Sequence, residues 1–388
     1  MVEVDLLQIA ETWSFWDRPI PPSIPRRVDW PEALVESRCL VVQGVRRCGK
    51  STLMQQMVGR YGLDPARCVF LNLEDPRLSN MLEFPLLDRL VQRFRERHDD
   101  VSPLTFFLDE IQAVPGWERW LRSQLDRKTG NAFVISGSNA NLLSGELSTV
   151  LTGRHLTIEL FPFAFDEVRS FAPDTSLLEH LYQGGFPEVV TMPDGDRLLR
   201  QYFQDIVERD VRERVAARSS LSIRQVVQMA YEGAGSETSL RRVAGAAGIA
   251  VETASGYLEA CEAAYMLFSV PFFAFSERKR ASRNRKYYPV DTGLRRVVVS
   301  RTGDDRGKAL ECAVHLALRR HYGSVFYWRD RGEVDFVVHH EGRIIPFQVT
   351  WEEPNERHHQ ALTDFYEAFP QADEAVFVTA ETFDQLGA

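Results

Sequence analysis

The segment Gly44-Val45-Arg46-Arg47-Cys48-Gly49-Lys50-Ser51 constrains this chain more than any other. It follows the apolar run Leu40-Val41-Val42 and opens an amphipathic stretch. Its glycines therefore sit where a strand turns sharply into a helix, and the segment fits G-x-x-x-x-G-K-[ST] at every fixed position. Glycine lets the backbone curl until successive N–H groups converge, and the helix N-terminus adds partial positive charge; such a cradle suits a phosphate. Lys50 is expected to meet the β and γ oxygens of a triphosphate, Ser51 to offer its hydroxyl to Mg²⁺, and Thr52 to touch the α-phosphate. Gly44, Arg47, Cys48 and Gly49 complete the expected cofactor-binding set.

A phosphate loop needs a magnesium ligand at the end of another central strand, and residues 104–110 supply one. Phe106-Phe107-Leu108 is apolar and β-prone and ends in Asp109-Glu110. Side chains alternate along a strand, so the two acids are expected to point to opposite sides and do different work. Asp109, with Ser51, is assigned to the metal; Glu110 is assigned to the attacking water. No Asn-Lys-x-Asp element for guanine occurs in the chain, which favours ATP over GTP.

The rest of the chain sets the frame. With 388 residues, 44% of them hydrophobic, it is long enough for several domains. A net charge of -9 gives no long-range pull toward nucleic acid, so any such contact is local. Five cysteines, none in a CxxC pair, argue against a disulfide framework or zinc site. Residues 1–11 carry Glu3, Asp5 and Glu11 without a basic cluster, and no apolar run approaches the ~18 residues of a membrane span. A cytoplasmic chain without membrane contact is expected. Five prolines within residues 1–38 predict an extended arm there. Alternating β and α patterns over 39–165 predict an α/β core with a parallel sheet, and residues 166–218 read as a helical lid containing a turn at Gly184-Gly185-Phe186-Pro187.

The loop Gly44 to Thr52, the run Leu108-Asp109-Glu110-Ile111-Gln112 followed by Pro115-Gly116-Trp117, the segment Ile135-Ser136-Gly137-Ser138-Asn139 and the triplet Thr152-Gly153-Arg154 together resemble a family of predicted prokaryotic AAA+ ATPases. The resemblance is specific in the first half of the chain and looser in the last third. It implies an AAA+ ATPase module followed by a winged helix and a domain similar to PD-(D/E)XK nucleases. It also implies that Ser138 or Asn139 is a sensor of the γ-phosphate, and that Arg154 is a finger or sensor, working across a homo-oligomer if supplied by a neighbouring subunit. A plain turn at Gly137-Ser138-Asn139 and a surface ion pair for Arg154 are the alternative readings.

Residues 219–302 read as helix, turn, helix and wing. Val251, Ala254, Leu258, Cys261, Tyr265 and Phe268 recur at helical spacing as a core stripe, and residues 268–275 and 286–290 are expected to be the wing strands. The second helix exposes Glu252, Glu259 and Glu262 and no base, which disfavours major-groove reading. Arg278, Lys279, Arg280, Arg283, Arg285 and Lys286 are the candidate DNA-phosphate contacts, with a solvated loop or a protein partner as alternatives.

Residues 303–388 follow the order α-β-β-β-α-β, similar to the restriction-endonuclease core. Glu311, Asp335 and Gln348 occupy the metal-binding places of that core, while Thr350 stands where the lysine belongs. Without the lysine, cleavage is disfavoured and a degenerate nuclease-like domain is expected. The leading expectation is an ATP-driven switch acting on a DNA or protein partner. An ATP-dependent nuclease or DNA-processing factor, and a nucleotide-stabilised scaffold with little turnover, are the alternatives.

Overall fold

The computed structural model describes residues 5–98, 103–143, 150–217, 219–300 and 305–387. The chain divides into two compact units, Met1–Leu160 and Phe161–Ala388.

The first unit begins with a helix, α1 (Leu6–Trp13), where the prolines further on had predicted only an extended arm. Asp5 starts it by accepting the amide of Leu7, and Leu6, Ile9 and Ala10 form its buried stripe. Residues 19–31 carry no helix or strand. The core then alternates β1 (Cys39–Gly44), α2 (Lys50–Arg60), β2 (Cys68–Asn72), α3 (Phe84–His98), β3 (Thr105–Asp109), α4 (Trp117–Arg127), β4 (Ala132–Gly137) and β5 (His155–Leu160). All pairings are parallel and the strand order is β2-β3-β4-β1-β5. Strands β1 and β3 are buried on both faces, which is why they read as continuous apolar runs. The order places the ends of β1, β3 and β4 side by side, and ligands of open parallel sheets bind outside such carboxyl ends.

The second unit opens with helices α5 (Phe165–Phe171), α6 (Leu177–Gln183), α7 (Pro187–Thr191) and α8 (Gly195–Asp205), the last running into π-helical turns over Ile206–Arg212. Helices α9 (Leu221–Glu232), α10 (Leu240–Ala247) and α11 (Val251–Ala263) follow, and Gly248 closes α10 in the left-handed conformation. The stripe along α11 is buried from Ala254 to Phe268, whereas Val251, in its first turn, is exposed. Strands β6 (Leu267–Val270) and β7 (Lys286–Pro289) pair antiparallel, with a short helix α12 (Glu277–Ala281) between them. Strand β6 stops well short of the expected Phe275 because Pro271 has no N–H to donate.

After α13 (Thr292–Val298) come α14 (Arg306–Tyr322), β8 (Phe326–Arg329), β9 (Glu333–His340), β10 (Arg343–Val349), α15 (Glu356–Ala368) and β11 (Val376–Val378), the expected α-β-β-β-α-β order. Their sheet runs β11-β10-β9-β8, antiparallel except for β10 with β11. One core links Phe165, Leu181, Val270, Phe272 and Tyr288 to Leu310, Phe336 and Phe365. The expected boundary at Gly303-Asp304 lies outside the described residues. Among the described residues, no helix is long and apolar enough to cross a membrane.

The glycine pair at the predicted turn is required by close approach. A Cβ on Gly185 would fall 2.1 Å from the carbonyl oxygen of Phe163, and one on Gly184 would strike the carboxylate of Asp291. Asp291 accepts the Gly185 amide at 2.7 Å and caps α13 through Leu294 at 2.7 Å. Burial pushes its carboxyl up to about 6.

Candidate functional site

Strand β1 delivers the chain into the loop at Gly44, where a Cβ would lie 2.0 Å from the carbonyl oxygen of Leu160; a side chain there has no room. Arg47 (φ 70) and Gly49 (φ 97) both take the left-handed conformation within the turn. Such alternation turns consecutive N–H groups inward, the arrangement an anion needs. Gly49 adopts the left-handed conformation at no steric cost; Arg47 does not. Cys48 is completely buried, and that burial raises its thiol pKa; it therefore packs the loop as an uncharged thiol.

Helix α2 starts at Lys50, whose ammonium is buried and donates to the carbonyls of Gly44 at 3.2 Å and Val45 at 3.4 Å. It also lies 3.6 Å from Oε1 of Glu110. Burial would lower the Lys50 pKa, but the acids beside it, Glu110 first, outweigh it and hold the amine charged. Ser51 donates its hydroxyl to Oδ2 of Asp109 at 2.6 Å, so the two expected metal ligands already touch. Thr52 follows in the first turn of α2, half-buried.

The acids at the end of β3 depart from the expectation of opposite directions. The strand ends at Asp109, and Glu110 turns out of it at φ 54 and ψ 50. Both carboxylates consequently face the loop, Asp109 toward Ser51 and Glu110 toward Lys50. Strand alternation holds only while the backbone stays extended, and here it does not. Burial, reinforced by Glu110, raises the Asp109 pKa. Burial also raises Glu110, but Lys50, the Gln112 side chain, Arg46 and the Ser138 amide together bring it below its ordinary value.

The end of β4 supplies the third side of the site. The amide of Ser138, a predicted sensor, donates to Oε2 of Glu110 at 3.2 Å. Asn139 is the next residue, half-buried just beyond the strand. Arg154 does not reach this site in its own chain. Its carbonyl accepts the amide of Cys39 at the start of β1, about 17 Å of strand away from the loop, and its guanidinium pairs with Asp126.

Several site residues were not anticipated. Ser136 donates to Oδ1 of Asp109 and accepts the Glu110 amide at 3.2 Å; a lone hydroxyl within the apolar run of β4 was its signal. Gln112 donates to Oε2 of Glu110 at 2.6 Å, while its own Oε1 is buried without a hydrogen-bond partner. Arg26, in the extended arm, is buried and donates to the Cys48 carbonyl at 2.8 Å. Gln56 on α2 fastens that arm, donating to Ile24 at 2.6 Å and accepting the Arg26 amide at 3.2 Å. Nothing in the local sequence marks Arg26, since its partner is a backbone carbonyl 22 residues away.

In the second unit, Glu311, Asp335 and Gln348 are engaged by protein donors. Tyr288 donates its hydroxyl to Glu311 at 2.6 Å, and the Val349 amide to Asp335 at 2.8 Å. Gln348 accepts the Asp335 amide at 3.2 Å and donates to the Glu333 carbonyl at 3.0 Å, so both ends of its amide are spent on β9. Burial, with Glu311 nearby, raises the Asp335 pKa. Among the described residues, no group of three or more His, Cys, Asp or Glu side chains is arranged to hold a metal. Of the six basic residues proposed for DNA, Lys286 is wrongly included: it is fully buried and paired with Glu333. Arg283 and Lys279 lie over the ring of Phe272 at 4.9 and 5.8 Å, Arg280 over Phe326 at 5.0 Å, and Arg285 donates to Ser269 at 3.2 Å. Arg278 lies in the last turn of α12.

The fold and site of the first unit define a P-loop region of the AAA ATPase-like class. Residues 36–169 match the family described as AAA domain, residues 174–305 a domain of unknown function (DUF8612), and residues 306–387 a further domain of unknown function (DUF4143). Similar proteins include an uncharacterized protein of Haemophilus influenzae, 29% identical over 82% of this chain and 84% of its own length. Another, from Methanocaldococcus jannaschii, is 29% identical over 82% of this chain and 76% of its own. An uncharacterized protein of Mycobacterium tuberculosis is 28% identical over 82% of this chain and 71% of its own. Among solved structures, Cdc6p from Pyrobaculum aerophilum is matched at 15% identity over 58% of this chain and 73% of that one, with a TM-score of 0.26.

Proposed function

We propose that this chain binds Mg-ATP on the loop Gly44 to Ser51, hydrolyses it, and uses the cycle to switch its hold on a macromolecular partner. The observation that carries the reading is the convergence of Lys50, Ser51, Asp109 and Glu110 on one loop, with Ser51 and Asp109 at 2.6 Å and Lys50 and Glu110 at 3.6 Å.

The residues present fit a nucleotide and its metal. The left-handed residues Arg47 and Gly49 give the loop the backbone turn of an anion cradle, and the oxygens of Ser51 and Asp109 are the hard donors that Mg²⁺ prefers. When bound, the metal neutralises charge on the phosphate oxygens. Lys50 binds those oxygens, and the amides around Arg47 and Gly49 orient them. Ser136 holds Asp109 in place, and Glu110, held ionised, takes the proton of the attacking water. Arg154, at the other end of β1 from its own loop, serves the site of a neighbouring copy.

The test is phosphate release from ATP, with and without DNA and over a range of protein concentrations. Wild type is expected to turn over in Mg²⁺. Absence of both binding by calorimetry and turnover would overturn the reading. A rate per subunit that rises with concentration supports assembly.

A further inference from the structure

We infer that Lys286 is the resident cation of the Glu311–Asp335 cluster, so that these carboxylates are built around an ammonium of the chain itself and not around a divalent metal.

The argument begins with strand alternation. Lys286 and Tyr288 are two residues apart on β7 and therefore share one face of it. Both side chains reach the same cluster: Lys286 pairs with Glu333 on β9, and Tyr288 donates to Glu311 on α14 at 2.6 Å. The ammonium also lies 5.1 Å from the ring centroid of Tyr327. Lys286 is completely buried, a position that an ammonium occupies only when acids surround it. Glu311, Glu333 and Asp335 all act on it electrostatically.

The remaining polar groups leave little for a metal. Asp335 accepts the Val349 amide, and Gln348 is tied at both ends to the backbone of β9. Behind Glu311, Gly235 comes so close that a Cβ would lie 2.6 Å from its carboxylate. On the other side His315 stacks on Tyr288 at 4.6 Å. The positive charge that position 350 lacks is thus present, but it arrives from the β6–β7 hairpin and is fixed there as a counter-ion. Lys286 belongs to the segment matching one domain family and its carboxylates to the next, so the pair fastens residues 174–305 to residues 306–387.

The full chain tests this by thermal unfolding and by manganese titration. Lys286→Met is expected to lower Tm by roughly 4–8 °C, because it strands the charge of the half-buried Glu333 carboxylate. Lys286→Met combined with Glu333→Gln is expected to recover at least half of that shift. A double variant with no recovery would assign Lys286 a packing role only and overturn the inference. Manganese binding should be the same in wild type and Asp335→Asn. An isotherm in wild type that Asp335→Asn abolishes would make the cluster a metal site, and would likewise overturn it. The manganese comparison needs no lysine variant and stands even where Lys286→Met does not fold.

Discussion

The ammonium of Lys50 lies 3.6 Å from Oε1 of Glu110, so the cation expected to meet the γ-phosphate and the acid expected to activate water hold one another. Oε2 of the same carboxylate is taken by Gln112 and by the Ser138 amide. A triphosphate that draws Lys50 toward its oxygens removes one of these restraints and frees one carboxylate oxygen for water.

Glu110→Gln therefore separates binding from turnover. The amide keeps the shape of Glu110 and one acceptor oxygen but cannot take a proton, so kcat should fall about 10²- to 10⁴-fold while the Kd for Mg-ATP stays within a few-fold of wild type. Steady-state kinetics and calorimetry on the same preparation check both halves. Equal rates in the two proteins would remove Glu110 from the mechanism.

Ser136→Ala takes away a side-chain donor to Oδ1 of Asp109 and the acceptor of the Glu110 amide. Leaving buried groups unsatisfied costs about 1–3 kcal/mol, which urea unfolding would register. Asp109, already raised by burial, would shift further up, so the Mg²⁺ concentration for half-maximal rate should increase, most strongly at low pH. A stability loss with unchanged magnesium dependence would confine Ser136 to packing.

Arg26 ties the arm to the loop through the Cys48 carbonyl, and Gln56 holds the arm along α2. Arg26→Met should weaken ATP binding by about tenfold, the worth of one charge-assisted hydrogen bond, with kcat little changed. Arg26→Lys should restore part of the affinity. An unchanged Kd for Arg26→Met would leave the arm with a structural role alone.

Asp291 makes a pH-dependent prediction with a definite sign. Its folded pKa of about 6 exceeds the ordinary 3.8, so the folded state binds the proton more tightly. Its contribution is fully present below the ordinary value and is lost as pH rises through 6. His180 in the same pocket is lowered to about 4 by burial and opposes this trend between pH 4 and 6.5, and Arg320 nearby stays charged. Comparing wild type with Asp291→Asn cancels the histidine. The stability of wild type relative to the variant should fall by up to about 3 kcal/mol between pH 4 and 6.5. A difference independent of pH would rule out the buried carboxyl as its source.

Much of the first unit was legible because its determinants are local. Gly44, Gly49 and Lys50 announce a strand, a curled loop and a helix within one short stretch, and the apolar runs of β1 and β3 state that both faces are covered. Helix α1 was legible too, in Asp5 and the Leu6, Ile9, Ala10 spacing, but the prolines that follow it dominated the composition. The order α-β-β-β-α-β also followed from local periodicity.

What the sequence by itself determined is thus the order of most elements, the curled loop and the pair of acids near it, since each depends on backbone conformation and on neighbours a few residues apart. Only the tertiary structure decided which way Glu110 faces, because a single left-handed residue cancels strand alternation. It also decided that Lys286 is a buried counter-ion and not a surface base, that Arg26 braces the loop, and that Arg154 lies at the far end of β1. Those partners are separated by 47, 22 and 115 positions or differ in strand end, and charge–charge and hydrogen-bond energies depend on distance in space, which sequence spacing does not record.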